Sequence, residues 1–454
     1  MNADLRKQKN RTKRCMGILR RSGILYHAAA EGLAEAPDAA AFPADLPILS
    51  PVLHSYVIWI LRKAMDDGIK RLYFLARDGY LPCRVAQAYC CRLQLPIDCR
   101  YLYCSRAALR IPMYHLDMEE ALDYICRGGL DVTLHRIMLR AGLEENQAQT
   151  VFSMLELPYA FDEPIPYRGL AAVRVRLAQC PSFLELMRRN SEEAFPGLHG
   201  YFRQEGLLDE VPCAIVDSGW TGTMQKSIRD ICRVCGSKTL PTGYYFGLYH
   251  LPEGSDASIY SAFFFTPGRG LLRKIFFNNN LFEVVFSAPH GSTLHYRHED
   301  GRYAAVFAEP DGQIVNYICQ LEHALDQYTR RVTEQMTIDV FRSIPVSQLR
   351  RLTASLLRLF MWIPTAVEAK AYGELPFSDD LQDLGRQELG RQMTKQQLRD
   401  GLVLFRLLQL FGICRKASSG SAWYEASAVR SLGFSLFHRA DHLLYQLLVH
   451  SKPR

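Results

Sequence analysis

The stretch 71-RLYFLARDGYLPCRVAQAY-89 carries the strongest fold signal in the chain. Its hydrophobic run from Leu72 to Ala76 has the length of a buried strand, and a helix-compatible pattern begins at Leu81, beyond the turn Arg77-Asp78-Gly79. A strand, a glycine turn and a helix in this order are typical of α/β sheets, which bind ligands at the carboxyl ends of their strands. Arg77 and Asp78 are therefore candidate site residues.

The same pattern returns at 211-VPCAIVDSGWTGTMQKSIRDICRVCG-236, which predicts a strand over 211–216 and a helix from about Thr223. Another strand is predicted at 243-GYYFGLY-249, and an earlier one at 99-CRYLYCSRAAL-109 ends at Ser105-Arg106. Repeated strand–turn–helix–strand units favour parallel strands with right-handed crossovers. We therefore predict a Rossmann-like α/β core.

Patterning along the rest of the chain predicts five segments. Residues 113–207 contain helix-like blocks without a convincing strand, which indicates a helical insertion, and the region beyond 300 is mostly helical. Residues 28–51 are rich in Ala and Pro and predict a linker. The segments are 1–50, a basic N-terminal segment and linker; 51–112, the first part of the α/β core; 113–207, the insertion; 208–300, the second part of the core; and 301–454, a helical C-terminal region.

Charge is concentrated at the N-terminus. The 454-residue chain is 48% hydrophobic and 22% charged, an ordinary globular composition with a net charge of +7. Residues 1–21 hold eight basic residues and the single acid Asp4, which predicts a solvated, partly disordered end. The alternative is contact with an anionic membrane; nucleic acid is not favoured. The amphipathic segment 434–452 is predicted to pack on the core, or else to lie on a membrane.

The sequence predicts a cytoplasmic protein, either free or peripherally attached to a membrane. The basic start is not followed by a long apolar segment, and no stretch reaches the roughly 20 apolar residues of a membrane-spanning helix. Thirteen cysteines scattered over a long chain fit reduced thiols better than a disulfide framework.

The turn 215-IVDSGWTGT-223 is a candidate phosphate site. Backbone N–H groups of a glycine-rich turn at a helix start form an anion-binding nest, and threonine hydroxyls add hydrogen bonds. Asp217, at the strand end, would bind sugar hydroxyls or a hydrated Mg²⁺. The alternative is a tight structural turn with Asp217 as a helix cap. The candidate binding residues are Gly219, Trp220, Thr221, Gly222, Thr223 and Gln225.

Two further strand ends supply candidates for the same site. The planar fork of Arg77 suits phosphate, and Ser105 and Arg106 would add a hydroxyl and a second guanidinium. The alternative for each pair is a structural turn held by hydrogen bonds or a salt bridge. Because adjacent parallel strands bring their carboxyl ends together, we expect Arg77, Ser105 and Asp217 to share one pocket.

Glu283 and His290 form the last candidate pair. Glu283 lies in an apolar run, and Pro289-His290-Gly291-Ser292 is a turn before another strand-like piece. A buried carboxylate beside a loop histidine would serve as an acid/base pair. The alternative places Glu283 in a structural contact of the core and His290 in a surface turn.

Five motifs together resemble an uncharacterised bacterial family often encoded among surface-polysaccharide genes. They are FLARDGY at 74–80, YLYCSR at 101–106, VDSGWTGTMQ at 216–225, FE…FSAPHGST at 282–293 and PTAVEAKAYGELPFSDD at 364–380. In that family this domain commonly follows a haloacid-dehalogenase-type domain, and whole proteins are labelled predicted hydrolases. The resemblance spans about residues 50–435 and implies phosphate-ester hydrolysis. This chain departs from the DxD nucleophile pattern, because Tyr80 and Gly219 stand two residues after Asp78 and Asp217.

A weaker resemblance links the chain to phosphoribosyltransferases. FLARDGYLPCRVA is similar to their pyrophosphate-loop turn, and VDSGWTGT resembles a contracted form of their ribose-phosphate loop, with Ser218 in place of the second acid. This resemblance implies a phosphoribosyltransferase-like sheet and an enzyme that transfers a glycosyl group from a phosphorylated sugar or nucleotide, with Mg²⁺ as cofactor. A phosphate-ester hydrolase and a non-catalytic, membrane-peripheral scaffold for glycan enzymes remain the alternatives.

Overall fold

A computed structural model of the chain describes residues 3–35, 41–128, 132–377, 387–400, 402–403, 421–432 and 436–451. Its centre is a five-stranded sheet of β1 Arg71–Leu75, β2 Asp98–Leu102, β3 Cys213–Trp220, β4 Thr242–Leu248 and β5 Tyr260–Phe265. The strand order is β2-β1-β3-β4-β5, and every neighbouring pair is parallel. The α/β class and the parallel sheet expected from the sequence are confirmed.

Helices account for most of the remaining described chain. Up to β3 they are α1 Ala3–Leu19, α2 Ile24–Glu35, α3 Ser50–Asp66, α4 Tyr80–Leu93, α5 Arg106–Arg110, α6 Met118–Ile125, α7 Leu134–Arg140, α8 Glu145–Met154, α9 Leu170–Ala178 and α10 Pro181–Gln204. After β3 they are α11 Thr223–Val234, α12 Leu271–Ile275, α13 Asn279–Val285, α14 Gly312–Gln335, α15 Ile338–Ser343, α16 Val346–Leu357, α17 Ala366–Gly373, α18 Lys395–Asp400, α19 Tyr424–Leu432 and α20 Leu436–Ser451.

The turn between β1 and α4 depends on Gly79. A Cβ built on Gly79 would lie 2.6 Å from the Leu75 carbonyl oxygen and 2.7 Å from the Phe74 carbonyl carbon. Only glycine therefore lets the chain fold back this closely on the end of β1. Helix α4 begins at the next residue, so Arg77 and Asp78 stay at the edge of the sheet.

The segment between β2 and β3 contains helices joined by turns and coil, and no strand among its described residues. Helices α6 to α9 and the first half of α10 share a hydrophobic cluster of their own, which includes Leu122, Ile137, Val151 and Phe183. The second half of α10 contributes Leu198 and Phe202 to the cluster on one face of the sheet. Helix α10 thus connects the insertion to the core.

The sequence predictions missed several strands. Strand β5 was not predicted, and β3 continues through the glycine turn as far as Trp220. The strand-like piece after His290 is the first half of an antiparallel hairpin, β6 Thr293–Glu299 and β7 Arg302–Phe307.

The expected linker is wrong where the structure describes it, and the N-terminal segment is a helix with one buried side instead of a partly disordered end. Helix α2 covers residues 24–35, and Pro47, Ile48 and Leu49 are buried in a helical turn. Helix α1 packs its Cys15 and Leu19 into the main hydrophobic core, which also takes residues from α3, the sheet and the C-terminal helices. The high alanine content reflects helix propensity and not a flexible linker. Among the described residues, no helix combines the length and apolarity needed to cross a membrane.

Candidate functional site

The candidate site lies at the carboxyl edge of the three adjacent strands β2, β1 and β3. Leu75 pairs with Leu102, and Phe74 pairs with Val216. The residues after these pairs therefore leave the sheet at one edge: Arg77 and Asp78 from β1, Ser105 and Arg106 beyond β2, and Asp217 within β3. Helix α13 and the turn before β6 bring Glu283 and His290 to the same place.

A cleft opens at this edge and encloses about 680 Å³, including its mouth. Arg77, Asp78, Glu283 and His290 line it together. Its other walls come from the end of α13, the start of α14 and the short β8 strand Pro376–Phe377. They are Val284, Ser287, Ala288, Gly291, Glu309, Pro310, Asp311, Ile314, Pro376 and Phe377.

A smaller inner cavity of about 260 Å³ lies behind the cleft. Asp217 and Ser218 line it with Tyr56, Phe282 and Phe286, and Asp78 lines both cavities. Arg77 and Asp217 thus face adjacent cavities that meet at Asp78, rather than a single cavity. Asp78 joins the ends of β1 and β3, but Ser105 and Arg106 line neither cavity, so the expectation that Arg77, Ser105 and Asp217 share one pocket is wrong.

Three carboxyl groups lie in this enclosed corner, and each has a raised pKa. Burial raises the pKa of Asp78. Burial and the neighbouring charges of Asp78 and Glu283 raise the pKa of Asp217 well above its usual range. Burial, with the charge of Asp78, raises the pKa of Glu283 to about 7. The side chains keep some accessible surface because they line the cavities, so enclosed groups of this kind suit proton transfer at neutral pH.

Two guanidinium groups offset part of this negative charge. The charge of Arg106 lowers the pKa of all three carboxyl groups, and that of Arg77 acts on Asp78 and Glu283. Arg106 is exposed, and it makes no hydrogen bond or ion pair with another described residue. A ligand anion can therefore reach Arg106 without displacing a protein partner.

Each of two carboxyl groups is held by a side chain from β3. The Ser218 hydroxyl donates to Asp78 Oδ2, and the Trp220 indole N–H donates to Glu283 Oε1. The sequence hypothesis gave Trp220 a ligand-binding role and Ser218 none. Strand alternation could have suggested Ser218, because it places Ser218 on the same face of β3 as Trp220.

Tyr56 is a further residue that sequence reasoning missed. Its hydroxyl donates to the backbone oxygen of Asp217 at 2.9 Å and approaches that of Tyr244 at 3.2 Å. It fixes the end of β3 beside the inner cavity. The pattern of α3 gave no sign of this role, since Tyr56 stands in an otherwise apolar helix face.

His290 is held as a neutral imidazole with both nitrogens engaged. Nδ1 donates to the Gly291 carbonyl at 2.8 Å, so Nε2 is left to accept from the Tyr101 hydroxyl, also at 2.8 Å. Burial and the nearby charge of Arg77 lower the pKa of His290. This arrangement orients Tyr101 and the wall of the cleft, and it leaves Glu283 as the more accessible proton-transfer group.

Ser105 has a structural role, which was the alternative to ligand binding in the sequence analysis. Its hydroxyl accepts from the Ala108 backbone N–H at 3.0 Å as the N-cap of α5, and it donates to the Thr293 carbonyl at 2.6 Å. These contacts fix the start of α5, where Arg106 stands. Ser105 thus positions Arg106 rather than offering a free hydroxyl to a ligand.

The glycine turn lies beside the two cavities and not in them. Thr221, Thr223 and Gln225 are not among the residues that line either one. The Gln225 amide is occupied, since it donates to the Ile259 carbonyl at 3.1 Å and accepts from Tyr245 at 2.7 Å. Asp217 does not cap α11, whose N-cap is Gly222.

Both glycines of the turn have conformations that favour glycine. Gly219 has a φ of 111° and Gly222 a φ of 65°. A Cβ on Gly222 would lie 2.7 Å from the Tyr260 ring. Replacing Gly222 by Val would therefore disturb the fold as well as the binding of any ligand.

Asp217, with Asp78 beside it, suits Mg²⁺ only in part. Across the described residues, no three His, Cys, Asp or Glu side chains converge in a metal-binding group. Mg²⁺ commonly keeps several waters and takes one or two carboxylates together with substrate phosphates. These carboxylates fit a metal that arrives with a phosphorylated substrate, and they do not form a complete protein cage.

Comparisons with models of known protein families and with curated proteins found no match.

Proposed function

We propose that this protein is an enzyme that transfers a glycosyl group from a phosphorylated sugar or nucleotide, in the manner of phosphoribosyltransferases. The observation that carries the proposal is the enclosed cluster of Asp78, Asp217 and Glu283 beside Arg77 and Arg106, at the carboxyl edge of a parallel sheet. Such edges are the usual ligand sites of α/β proteins. The resemblance to a surface-polysaccharide family supports glycan assembly as the setting.

The charges suit the two ends of a glycosyl-transfer transition state. The departing phosphate gains negative charge, which Arg106 and Arg77 would neutralise. The sugar ring gains positive charge, which Asp78 would stabilise as the carboxylate, since Ser218, Arg77 and Arg106 favour its ionised form. Bound Mg²⁺ would supply further charge neutralisation on the phosphates, with Asp217 among its ligands.

Glu283 is the group best suited to accept a proton from the attacking acceptor. Its pKa of about 7 makes it a useful base near neutral pH. The Trp220 indole N–H holds one carboxylate oxygen, so the other is left to face the cleft. The acceptor would accordingly bind in the larger cleft, which Glu283 lines.

A phosphoaspartate hydrolase has less support from this geometry. The Ser218 hydroxyl occupies one oxygen of Asp78, and Tyr80 stands where the DxD pattern has its second aspartate. The scaffold alternative would leave the enclosed carboxyl groups without a role.

The test is a thermal-shift screen of the full chain against phosphoribosyl pyrophosphate, sugar nucleotides and inorganic pyrophosphate, with and without Mg²⁺. A ligand at about 100 times its dissociation constant should stabilise the fold by about 2.7 kcal/mol. Arg106→Ala should remove most of this shift. Arg168→Ala, an exposed arginine in the insertion, is the control and should retain it.

Phosphorus NMR with the ligand from the screen then separates the reaction classes. A transferase releases pyrophosphate or phosphate only when an acceptor is present, whereas a hydrolase releases phosphate without one. Stabilisation that is identical in wild type and Arg106→Ala would contradict the proposed site. Full cellular activity of Asp217→Asn would favour the scaffold.

A further inference from the structure

Exposed apolar side chains are concentrated on α12 and α20, two helices that pack against each other. Six large ones there are between 37% and 69% exposed, a common sign of an interaction surface. Those on α20 recur at helical spacing and so share one face. They are Leu271 and Leu272 on α12, and Phe437, Leu444, Leu447 and Leu448 on α20.

Helix α1 has a strongly basic exposed face. Its buried side carries Gln8, Arg11, Cys15 and Leu19, which follow one helical stripe into the core. The cations of the opposite side point to solvent and continue into the next turn of chain, and the single acid is Asp4. The exposed cations are Arg6, Lys7, Lys9, Lys13, Arg14, Arg20 and Arg21.

The basic helix and the apolar helices are neighbours in the fold. Burial lowers the pKa of Arg439 on α20, and the charge of Arg11 on α1 adds to the lowering. The Trp362 ring stacks on His442 of α20, with ring centroids 5.4 Å apart. The same ring meets Phe276, the residue that follows α12, at 5.2 Å.

Helix α16 completes the connection. It packs against α1, and the residue that follows it, Arg358, lies 4.4 Å from the centre of the Phe276 ring. Helices α1, α12, α16 and α20 therefore pack in one part of the molecule, and we call the exposed cations of α1 together with the exposed apolar residues of α12 and α20 the docking surface.

We propose that the docking surface binds the surface of an anionic lipid bilayer. Exposed Leu and Phe side chains would enter the boundary between headgroups and acyl chains, and the lysines and arginines of α1 would contact lipid phosphates. This combination favours a membrane over nucleic acid, because a phosphodiester backbone offers no partner to the leucines. The inference is independent of the proposed enzyme activity.

The experiment measures co-sedimentation of the full-length protein with phosphatidylcholine vesicles, with and without phosphatidylserine, at low and high salt. Wild type should bind only the vesicles that contain phosphatidylserine, and salt should weaken binding. Lys9→Gln/Lys13→Gln/Arg14→Gln should weaken it about a hundredfold, since three cations near an anionic surface are removed. Leu444→Gln/Leu447→Gln/Leu448→Gln should weaken it at least tenfold, because apolar insertion is lost.

Two matched control variants change the same kinds of side chain on the insertion. Arg168→Gln/Arg176→Gln/Arg189→Gln removes three exposed cations, and Met154→Gln/Val175→Gln removes exposed apolar groups. Both should bind vesicles like the wild type. Circular dichroism confirms that each variant is folded.

Three results would overturn the proposal. Wild-type protein that stays in solution with every vesicle has no such surface. Equal losses for the α1 variant and the insertion cation variant would show a non-specific charge effect. Binding to duplex DNA that depends on α1, with vesicle binding unaffected by the leucine changes, would identify a nucleic-acid surface instead.

Discussion

Asp78, Asp217 and Glu283 lie close enough that ionising one raises the pKa of another. A fold that was selected for stability alone would have apolar or amide side chains in this corner. The cluster is therefore a destabilising feature that the protein retains, which is typical of sites where activity opposes stability. The effect of the cluster on the free energy of unfolding, and its pH dependence, can be measured.

Glu283→Gln should stabilise the protein above neutral pH. Folding raises the pKa of Glu283 from 4.5 to about 7, so the folded state disfavours the ionised form. Wild type therefore loses stability as the pH rises through this interval, and the loss is complete above it. Glutamine keeps the shape and an oxygen for Trp220 without the charge. We expect a gain of about 1–2 kcal/mol at about pH 8 and little change at about pH 4.5, allowing for partial exposure.

Urea denaturation at the two pH values measures this difference, and Glu156→Gln on the surface of the insertion is the control. The same Glu283→Gln protein should lose glycosyl transfer. A variant that is equally destabilised at both pH values would show that Glu283 is a structural carboxylate.

Arg77→Lys should reduce function more than stability. Lysine keeps the charge that acts on Asp78 and Glu283, but it cannot offer two parallel hydrogen bonds to a phosphate. We expect at least a tenfold loss in affinity, about 1.4 kcal/mol, for the phosphorylated ligand found in the thermal-shift screen. Calorimetric titration measures it, with Arg168→Lys as control. Unchanged affinity would mean that Arg77 has a structural role in the wall of the cleft and does not bind the ligand.

The convergence of Arg77, Asp78 and Asp217 at one edge of the sheet was predictable from the sequence, but the hydrogen-bond partners at the candidate site were not. Arg77, Asp78 and Asp217 follow strands whose apolar patterns are clear, and parallel strands bring such ends together. Ser105, by contrast, donates to Thr293, which is distant in sequence, and the Tyr101 hydroxyl meets His290 across a comparable separation. No local pattern shows whether a hydroxyl is already occupied by such a contact.

At the scale of the element, α1 shows how a charged sequence can conceal a buried stripe. Gln8, Arg11, Cys15 and Leu19 are buried, yet two of these four side chains are polar and the surrounding cations dominate the composition. Arg11 can be buried in the core because it forms an ion pair there with Glu368, with 3.5 Å between Nε and Oε1. The partner lies on α17, so the local sequence predicted a solvated end.

Arg11→Ala should destabilise the fold by about 3–5 kcal/mol, because Glu368 would remain buried without its partner. Burial already raises the pKa of Glu368, and Arg11 partly lowers it. Adding Glu368→Gln should recover much of the lost stability, since the amide keeps an oxygen that accepts from the backbone N–H of Thr365, the N-cap of α17. Thermal unfolding measures both, and the exposed Lys9→Ala is the control.

A single variant that unfolds at the wild-type temperature would mean that α1 does not depend on this ion pair. Failure of the double variant to recover stability would instead assign the loss to the packing of the Arg11 stem.

At the scale of the whole molecule, one hydrophobic core unites residues from Cys15 to Ala426, while the insertion has a core of its own. The helical character of the insertion was predictable, because its helices have local signals. The participation of α1 and α17 in the main core was not, since it rests on contacts between opposite ends of the chain. Sequence periodicity reports which face of an element is apolar and not what covers that face.

The separate core of the insertion predicts that it opens independently of the sheet, in a manner that depends on pH. His135 donates to Asp162 at 2.9 Å and to Glu145 at 2.7 Å when it is protonated, and its ring stacks on Phe161. Burial opposes protonation, but these two hydrogen bonds outweigh it and raise the pKa of His135 above 6.5. The stabilisation is therefore fully present below about pH 6.5 and is lost as the pH rises through the raised value.

Hydrogen exchange of the backbone amides, corrected for intrinsic rates, tests this at about pH 6 and about pH 8. Amides of α7 and α8 should lose protection at the higher pH by less than about 1 kcal/mol, because the carboxylates are largely exposed, while β1 and β3 remain protected. In His135→Gln the same helices should exchange alike at both pH values. Loss of protection in β1 and β3 in step with α7 and α8 would show that the insertion and the sheet open as one cooperative unit, since local opening would spare the sheet.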